Sequence, residues 1–562
     1  MKHETDHREA GQGAAVSREP HGDEEGVLTP SAAILPQKVR SGAASWPLLA
    51  ACLALLLAVL GLTRASLHLT ENRLIYPLDD AYIHMAVAHN LAQHGVWGVT
   101  RHGFSSSTSS LLWPLLLAGG EALIGPAESF PLVLSLISGL LGLAVVSWAL
   151  ADRAVEFRLL FLLGVVFLTP LPTLVLTGME HSLHVCATLL LATFIFRILD
   201  GNPPVSTLAL AGTAAVATSL RYESLFLAAA AGLMLAVNRR YRLVLVVGAS
   251  ALLAPLAFAL VSVSRSWYPL PNSVLLKGAT FDLATPSGWV ELLGGRSLRM
   301  LSQTPHVLVL VLLVLGLLAF APARPAQRAL QIMFGLTALL HMQFADVGWL
   351  YRYEAYLVAL GLLTLGLSVP KGWRPTGAGS PIAKAALVLL LAIGTYPLLA
   401  RAAHALVETP RASKNIFDQQ YQMGLFLRRF YPGAAVVAND IGAISYLADI
   451  RLLDLYGLAS MEVAQARRTG GLGRETVARL AAAHRAEVIV IYRSWFSQVL
   501  PADWLEAGSW RAPEQVVVAH RVVSFYALDR AGRDRLWQSL RAFQSEMPAD
   551  VEVRLREAAD EP

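Results

Sequence analysis

Long apolar runs without a single Lys, Arg, Asp or Glu fill most of the chain up to residue 400. The first is Ser41 to Thr63, and others run at 129–150, 159–179, 181–196, 202–220, 224–238, 243–264, 302–321, 329–345, 355–370 and 385–400. Each approaches the roughly 20 apolar residues that an α-helix needs to cross a hydrocarbon core of about 30 Å. Together they predict about eleven transmembrane helices. The run from Leu111 is interrupted by Glu121 and closed by Pro126, so it is read as an interfacial or re-entrant segment within a first outer loop, 64–128.

Residues 1–40 are polar and carry no apolar periodicity, which predicts a disordered cytoplasmic tail. Lys38 and Arg40 precede the first window, so it is expected to act as an uncleaved signal anchor with its amino end inside. With eleven spans, the inside loops hold Arg153 and Arg158, Arg197, Arg239 with Arg240 and Arg242, Arg324 with Arg328, and Lys371 with Arg374 and Lys384. That is a coherent excess of cations on one side. Counting the Leu111 segment as a span would move nearly all of these clusters outside.

After Arg401 the pattern changes. Short apolar runs at Ala434–Ala438, Arg451–Leu455, Glu487–Tyr492 and Val516–Leu528 read as strands, and Arg474–Arg485 and Arg533–Ser545 as helices. The expectation is a membrane domain over 41–403 followed by an α/β domain over 404–562, extracytoplasmic by the parity of the spans. No internal repeat is visible.

Composition agrees with the pattern. Hydrophobic residues make up 55% of the 562 and charged residues 15%, against roughly 25% in soluble domains. The net charge of +5 supports no nucleic-acid role. Cys52 and Cys186 lie inside apolar windows as small buried hydrophobes, and no disulfide is predicted.

With this topology the ionisable residues near span ends fall on the outer side: Asp79, Asp80, Glu180, His181, Arg221, Glu223, Lys277, Asp346, Arg352 and Glu354, together with Asn272, Tyr222 and Tyr353. Charges near hydrocarbon are costly, so their gathering at one face suggests a shared polar cavity. The sharpest local feature is Tyr76-Pro-Leu-Asp-Asp-Ala-Tyr-Ile-His84, leading into an amphipathic helix. One of its two acids is suited to capping a helix amino terminus. A second has no such structural need and, on a loop facing the cavity, suits a general base toward a sugar hydroxyl. Neither the Asp80/His84 pair nor the His181/His184 pair completes a metal ligand set, and His84, His89 and His94 scatter around their helix. No metal site or cofactor is assigned, and a divalent cation stays open.

Leu78-Asp-Asp-Ala-Tyr-Ile83 resembles the first-loop signature of the GT-C superfamily of polyprenyl-phosphate-sugar-dependent glycosyltransferases. Thr108-Ser-Ser-Leu-Leu-Trp113, Thr177-Gly-Met-Glu180 and Pro271-Asn-Ser-Val-Leu-Leu-Lys277 are similar to later segments of a bacterial branch that includes the mycobacterial terminal arabinofuranosyltransferase. Asp346 with Arg352-Tyr353 resembles a further outer motif, although Phe344-Ala345 stands where glycines are expected; Asp454-Leu-Tyr-Gly-Leu458 resembles a segment of the soluble domain.

The resemblance implies an inverting sugar transfer from a polyprenyl-phosphate donor to a glycan, lipid or protein acceptor at the outer face of the bacterial plasma membrane. Asp79 or Asp80 would deprotonate the acceptor hydroxyl. Lys277, Arg221 and Arg352 are the cations available to the leaving phosphate, and Glu180 and Glu223 would orient sugar hydroxyls or pair with those cations. Two other classes remain: a secondary transporter, disfavoured because the polar residues sit at one interface rather than at the midplane, and a non-catalytic assembly protein on the same fold.

Overall fold

A computed structural model of the chain describes residues 45–557 apart from 202–204, 280 and 370–380. The expected tail, 1–40, lies outside the described residues. From Trp46 onward every apolar window contains a helix among its described residues, with the boundaries set by prolines and capping turns. The 159–179 window is two helices, Val155–Leu168 and Leu171–Leu176, because Pro170 and Pro172 cannot continue the first one. The window at 302–321 is likewise shortened to Pro305–Phe320, with a 110° bend from the preceding helical stretch at Pro286–Gln303.

Among the described residues four helices are long and apolar enough to cross a bilayer: Trp46–Leu69, Phe130–Ala149, His181–Leu199 and Tyr241–Ser264. Shorter apolar helices at Thr207–Leu220, Ser224–Val237 and Ala355–Ser368 pack with them, so the chain is a polytopic helical membrane protein. The His181–Leu199 helix is the most enclosed of the four, with 67% of its apolar window buried, against 17% for Tyr241–Ser264, whose outward leucines are exposed. Leu112–Ile124 is a short helix packed against Asp79–His94.

The two ends of the bundle differ in chemistry. Glu180 immediately precedes the His181–Leu199 helix and Arg197 lies in its last turn, about 25 Å away along the axis. Arg153, Arg197 and Arg324 meet around Asp200 and Trp148 at the Arg197 end. There Arg153 caps the Leu367 carbonyl at 2.9 Å, Arg324 pairs with Asp200 at 2.7 Å, and Arg197 stacks 3.9 Å from the Trp148 ring. At the Glu180 end the acids and cations of the loops come together.

The helix Pro381–Ile416 runs straight through the expected boundary at residue 403. It leads into a six-stranded sheet of order β2-β1-β3-β5-β4-β6, comprising β1 (Ala435–Ala438), β2 (Arg451–Asp454), β3 (Val488–Ile491), β4 (Leu505–Arg511), β5 (Val522–Ala527) and β6 (Glu552–Leu555). β1 pairs in parallel with β2 and β3; the remaining pairs are antiparallel. Alternation sends Val488 and Val490 toward Phe426, Leu536 and Leu540, and Ile489 and Ile491 toward Val477, Ala481 and Phe496, so helices cover both faces.

Three strand expectations hold closely, while the fourth begins at Val522 instead of Val516. Residues 516–518 are held off the sheet by Asn415, whose Oδ1 accepts their three backbone N–H groups at 3.0–3.1 Å. β4 and β6 were not anticipated. Both carry charged residues, and on β6 exposed positions alternate with half-buried ones, as suits an edge strand.

Candidate active site

Two cavities meet between the bundle and the C-terminal sheet. The larger, about 850 Å³, lies between the loops at the Glu180 end of the bundle and the sheet; the smaller, about 290 Å³, lies deeper among the loops. Asp80, Lys277, Asp346 and Tyr353 line both, so they form the shared wall.

Asp79 and Asp80 occupy the first turn of the Asp79–His94 helix, whose partial positive end favours carboxylates. Their side chains diverge. Asp79 accepts the backbone N–H groups of Gly442 at 2.7 Å and Ala443 at 2.8 Å, and so caps a helix of the C-terminal domain. Burial, and then the neighbouring Asp440, push its proton affinity up. Asp80 forms an ion pair with Arg352 and lies 3.5 Å from the Lys277 ammonium. Burial alone would raise it, but the two cations outweigh burial and hold it far below the ordinary carboxylate range.

The three candidate cations separate by how fully they are engaged. Arg221 is enclosed by Glu223 at 2.5 Å, Glu180 at 3.2 Å and the Ser109 hydroxyl at 2.9 Å. Arg352 is 2% exposed, bonded to Asp80 and set 4.9 Å from the Tyr353 ring. Lys277 is 34% exposed, and its contact with Asp80 is long, which leaves ammonium N–H groups for an incoming anion.

The other candidates divide between the cavity walls and the layer behind them. Glu180 is fully buried and faces Arg221, His84 at 3.4 Å and His181 at 3.8 Å, without lining either cavity. Glu223 lines the smaller cavity. Asn272 lines neither: its Nδ2 donates to the Gly457 carbonyl at 2.8 Å and its backbone N–H to the Ser106 carbonyl at 2.9 Å, which ties the segment after the Tyr241–Ser264 helix to the sheet domain. Asp346 is exposed on the shared wall.

The sequence motifs acquire physical roles. Gly178 has φ +64°, and a Cβ there would fall 2.3 Å from the Tyr76 ring. Its carbonyl accepts the Trp113 indole N–H at 3.2 Å, so Thr177–Glu180 and Thr108–Trp113 lock together under the first loop. Thr108 meets His84 Nδ1 at 2.8 Å. Among the described residues no group of three or more His, Cys, Asp and Glu is placed to hold a metal ion.

Sequence reasoning missed the contribution of the sheet. Asn439 and Asp440 follow β1, Tyr456 follows β2, Trp495 follows β3, and all line the larger cavity. Asp440 accepts from Gln420 Nε2 at 2.7 Å and from the Tyr492 hydroxyl, and burial raises its proton affinity. The available signal was Asp454-Leu-Tyr-Gly-Leu458. Asp454 accepts the N–H groups of Tyr456 at 2.7 Å and Ala459 at 2.9 Å, folding the loop that presents Tyr456.

A solved structure of ArnT from Cupriavidus metallidurans bound to undecaprenyl phosphate is similar over 85% of this chain and 98% of its own, at 14% identity and a TM-score of 0.50. The archaeal oligosaccharyltransferase AglB from Archaeoglobus fulgidus, in complex with an inhibitory peptide and a dolichol-phosphate, aligns over 90% of this chain and 76% of its own, at 12% identity and a TM-score of 0.45. Arabinofuranosyltransferase AftD from mycobacteria aligns over 85% and 40%, at 13% identity and a TM-score of 0.36. Residues 414–526 match a family model described as a domain of unknown function, DUF8728. No curated protein matches the sequence. The GT-C-like fold expected from the first-loop motif is borne out.

Proposed function

We propose that this GT-C-like membrane protein is an inverting glycosyltransferase. It moves a sugar from a polyprenyl-phosphate donor to a cell-envelope acceptor at the extracytoplasmic face of the bacterial plasma membrane. The observation that carries this reading is that Asp80 and Lys277 form a common wall between two cavities. A base there reaches an acceptor in the larger cavity, while a cation reaches a phosphate in the smaller one.

The division of labour follows from the hydrogen bonds. Both Asp79 oxygens are occupied by backbone N–H groups, so Asp79 is a positioning residue. Asp80 is ionised and ready to receive a proton. Its proton affinity is low while Lys277 and Arg352 face it, and a donor phosphate drawing Lys277 away would raise it. The acceptor hydroxyl gives its proton to Asp80, and its oxygen bonds to the anomeric carbon from the side opposite the phosphate. The carbon–oxygen bond to the lipid phosphate breaks with its electron pair on the phosphate, where Lys277 stabilises the charge. A single displacement inverts the anomeric centre.

A transporter would show its polar groups at the bundle midplane, whereas these lie at one end of the His181–Leu199 helix. The test is envelope glycan analysis by mass spectrometry in cells lacking the gene. Loss of one sugar type is expected, restored by the wild-type chain and not by Asp80→Asn. Restoration by the Asp80→Asn variant would remove the mechanism.

A further inference from the structure

In the C-terminal sheet β1, β2 and β3 run parallel, and the loops leaving their carboxyl ends all open into the larger cavity. In open sheets this edge is where ligands bind. Tyr456 and Trp495 stand there as a ring pair with centroids 5.7 Å apart, and Tyr492 supports Trp495 edge-on at 5.4 Å. Packed against two rings, Trp495 still keeps 44% of its surface exposed. Arg467 covers the Tyr456 ring from 4.5 Å.

Beside the rings lies hydrogen-bonding capacity that the protein does not consume. Gln420 lines the cavity and is 2% exposed, yet among the described residues its amide oxygen has no hydrogen-bond partner. Asp440 is held by neutral donors, Gln420, Tyr492 and Asn439, so it keeps acceptor capacity toward hydroxyl groups. The ionisable wall comprises Asp79, Asp80, Asp346 and Asp440 against Lys277 and Arg467, an excess of acid that disfavours an anionic guest.

We propose that the C-terminal domain is the acceptor-binding half of the enzyme and takes a neutral sugar chain. The Tyr456–Trp495 pair stacks on a pyranose or furanose face, and Asp440 with Gln420 binds its hydroxyl groups. Aromatic faces pack against the C–H side of a sugar ring, while carboxylates and amides read its rim. The inference rests on the transferase reading above, since it names the acceptor of that site.

The experiment places the photoreactive residue p-benzoylphenylalanine in place of Trp495 in the full-length chain, in the membranes of its own host. Irradiation is expected to give an adduct that contains carbohydrate, shrinks on glycosidase or mild acid treatment and is unchanged by phosphatase. Adding Asp440→Asn should lower its yield about tenfold, the value of one hydrogen bond to a charged group. Adding Lys277→Ala should leave it unchanged while sugar transfer is lost. A peptide adduct, a phosphatase-sensitive adduct or no adduct would overturn the proposal. A carbohydrate adduct, together with a wild-type chain that transfers no sugar in the same membranes, would instead sink the transferase reading and leave the glycan site standing.

Discussion

Asp79 and Gly442 meet across 363 residues of chain, with the Gly442 N–H 2.7 Å from Asp79 Oδ2. Contact is close because residue 442 has no side chain: a Cβ there would lie 2.0 Å from the Asp79 carbonyl oxygen and 2.8 Å from its carboxylate. The Asp79–His94 helix and the sheet domain are thereby clasped directly beside Asp80, with Asn272 and Gly457 forming a second clasp at 2.8 Å. The cavity between them depends on both.

Gly442→Ala is therefore expected to destabilise the protein by about 1–3 kcal/mol, the usual cost of overpacking. Thermal unfolding of the purified chain measures it. Sugar transfer should fall as well, because the displaced residue adjoins the base. A variant as stable as wild type would show that the clasp is loose.

Asp79→Asn and Asp80→Asn should separate stability from chemistry. In the Asp79→Asn variant the side-chain amide retains one acceptor oxygen where two N–H groups need one each, so a loss of about 1–2 kcal/mol is expected with part of the activity kept. Asp80→Asn should keep its melting temperature and lose transfer by about 100-fold or more, the range for removing a general base. Equal activity losses with equal stabilities would contradict the assignment.

The sequence was most legible where one physical rule acted alone. Apolar run length located the helices, and an acidic pair before an amphipathic helix marked Asp79 and Asp80. It could not tell which acid caps and which faces the cavity, because that is decided by Gly442 far along the chain. The same reason hid Asp440, Gln420 and Trp495: each is an ordinary residue of a soluble domain until the fold brings it to Asp80. Arg221 and Lys277 looked alike as outer cations, and only Glu180 and Glu223 distinguish them. β4 and β6 were invisible because charges on partly exposed strands erase the apolar pattern.

A pH effect should come from Asp418, which is buried beside Lys414. Burial pushes its proton affinity up to about 7, with Lys414 opposing. Between about pH 4 and 7 the folded chain thus holds a proton that the unfolded chain has lost, so this group's contribution to stability falls as pH rises and levels off above about 7. The stability of wild type relative to Asp418→Asn should decline from pH 5 to pH 7 and then stay flat. A difference that rises over that interval would reverse the assignment.

Orientation is testable by reporter fusion. Alkaline phosphatase, active only outside the cytoplasm, should be active when fused after residue 557 and inactive when fused after Arg240. The basis is the clustering of Arg153, Arg197 and Arg324 at the bundle end away from Glu180. The opposite pattern would invert the whole arrangement.

Arg221 and Lys277 carry the sharpest contrast, since both are cations on the wall of the smaller cavity. Arg221→Ala leaves Glu180, fully buried, facing His84 and His181 among the described residues, and Glu223 loses its guanidinium partner as well. Breaking a buried pair from one side costs about 3–5 kcal/mol, so the variant should unfold early in a thermal scan. Lys277→Ala removes a half-exposed ammonium whose ion pair is long, and Arg352 still answers Asp80. Its melting temperature should stay near wild type, while turnover falls because the departing phosphate has lost its cation. Lys277→Arg should recover part of that turnover. Should the two alanine variants exchange behaviour, with Lys277→Ala unstable and Arg221→Ala folded but inactive, the phosphate would belong beside Arg221.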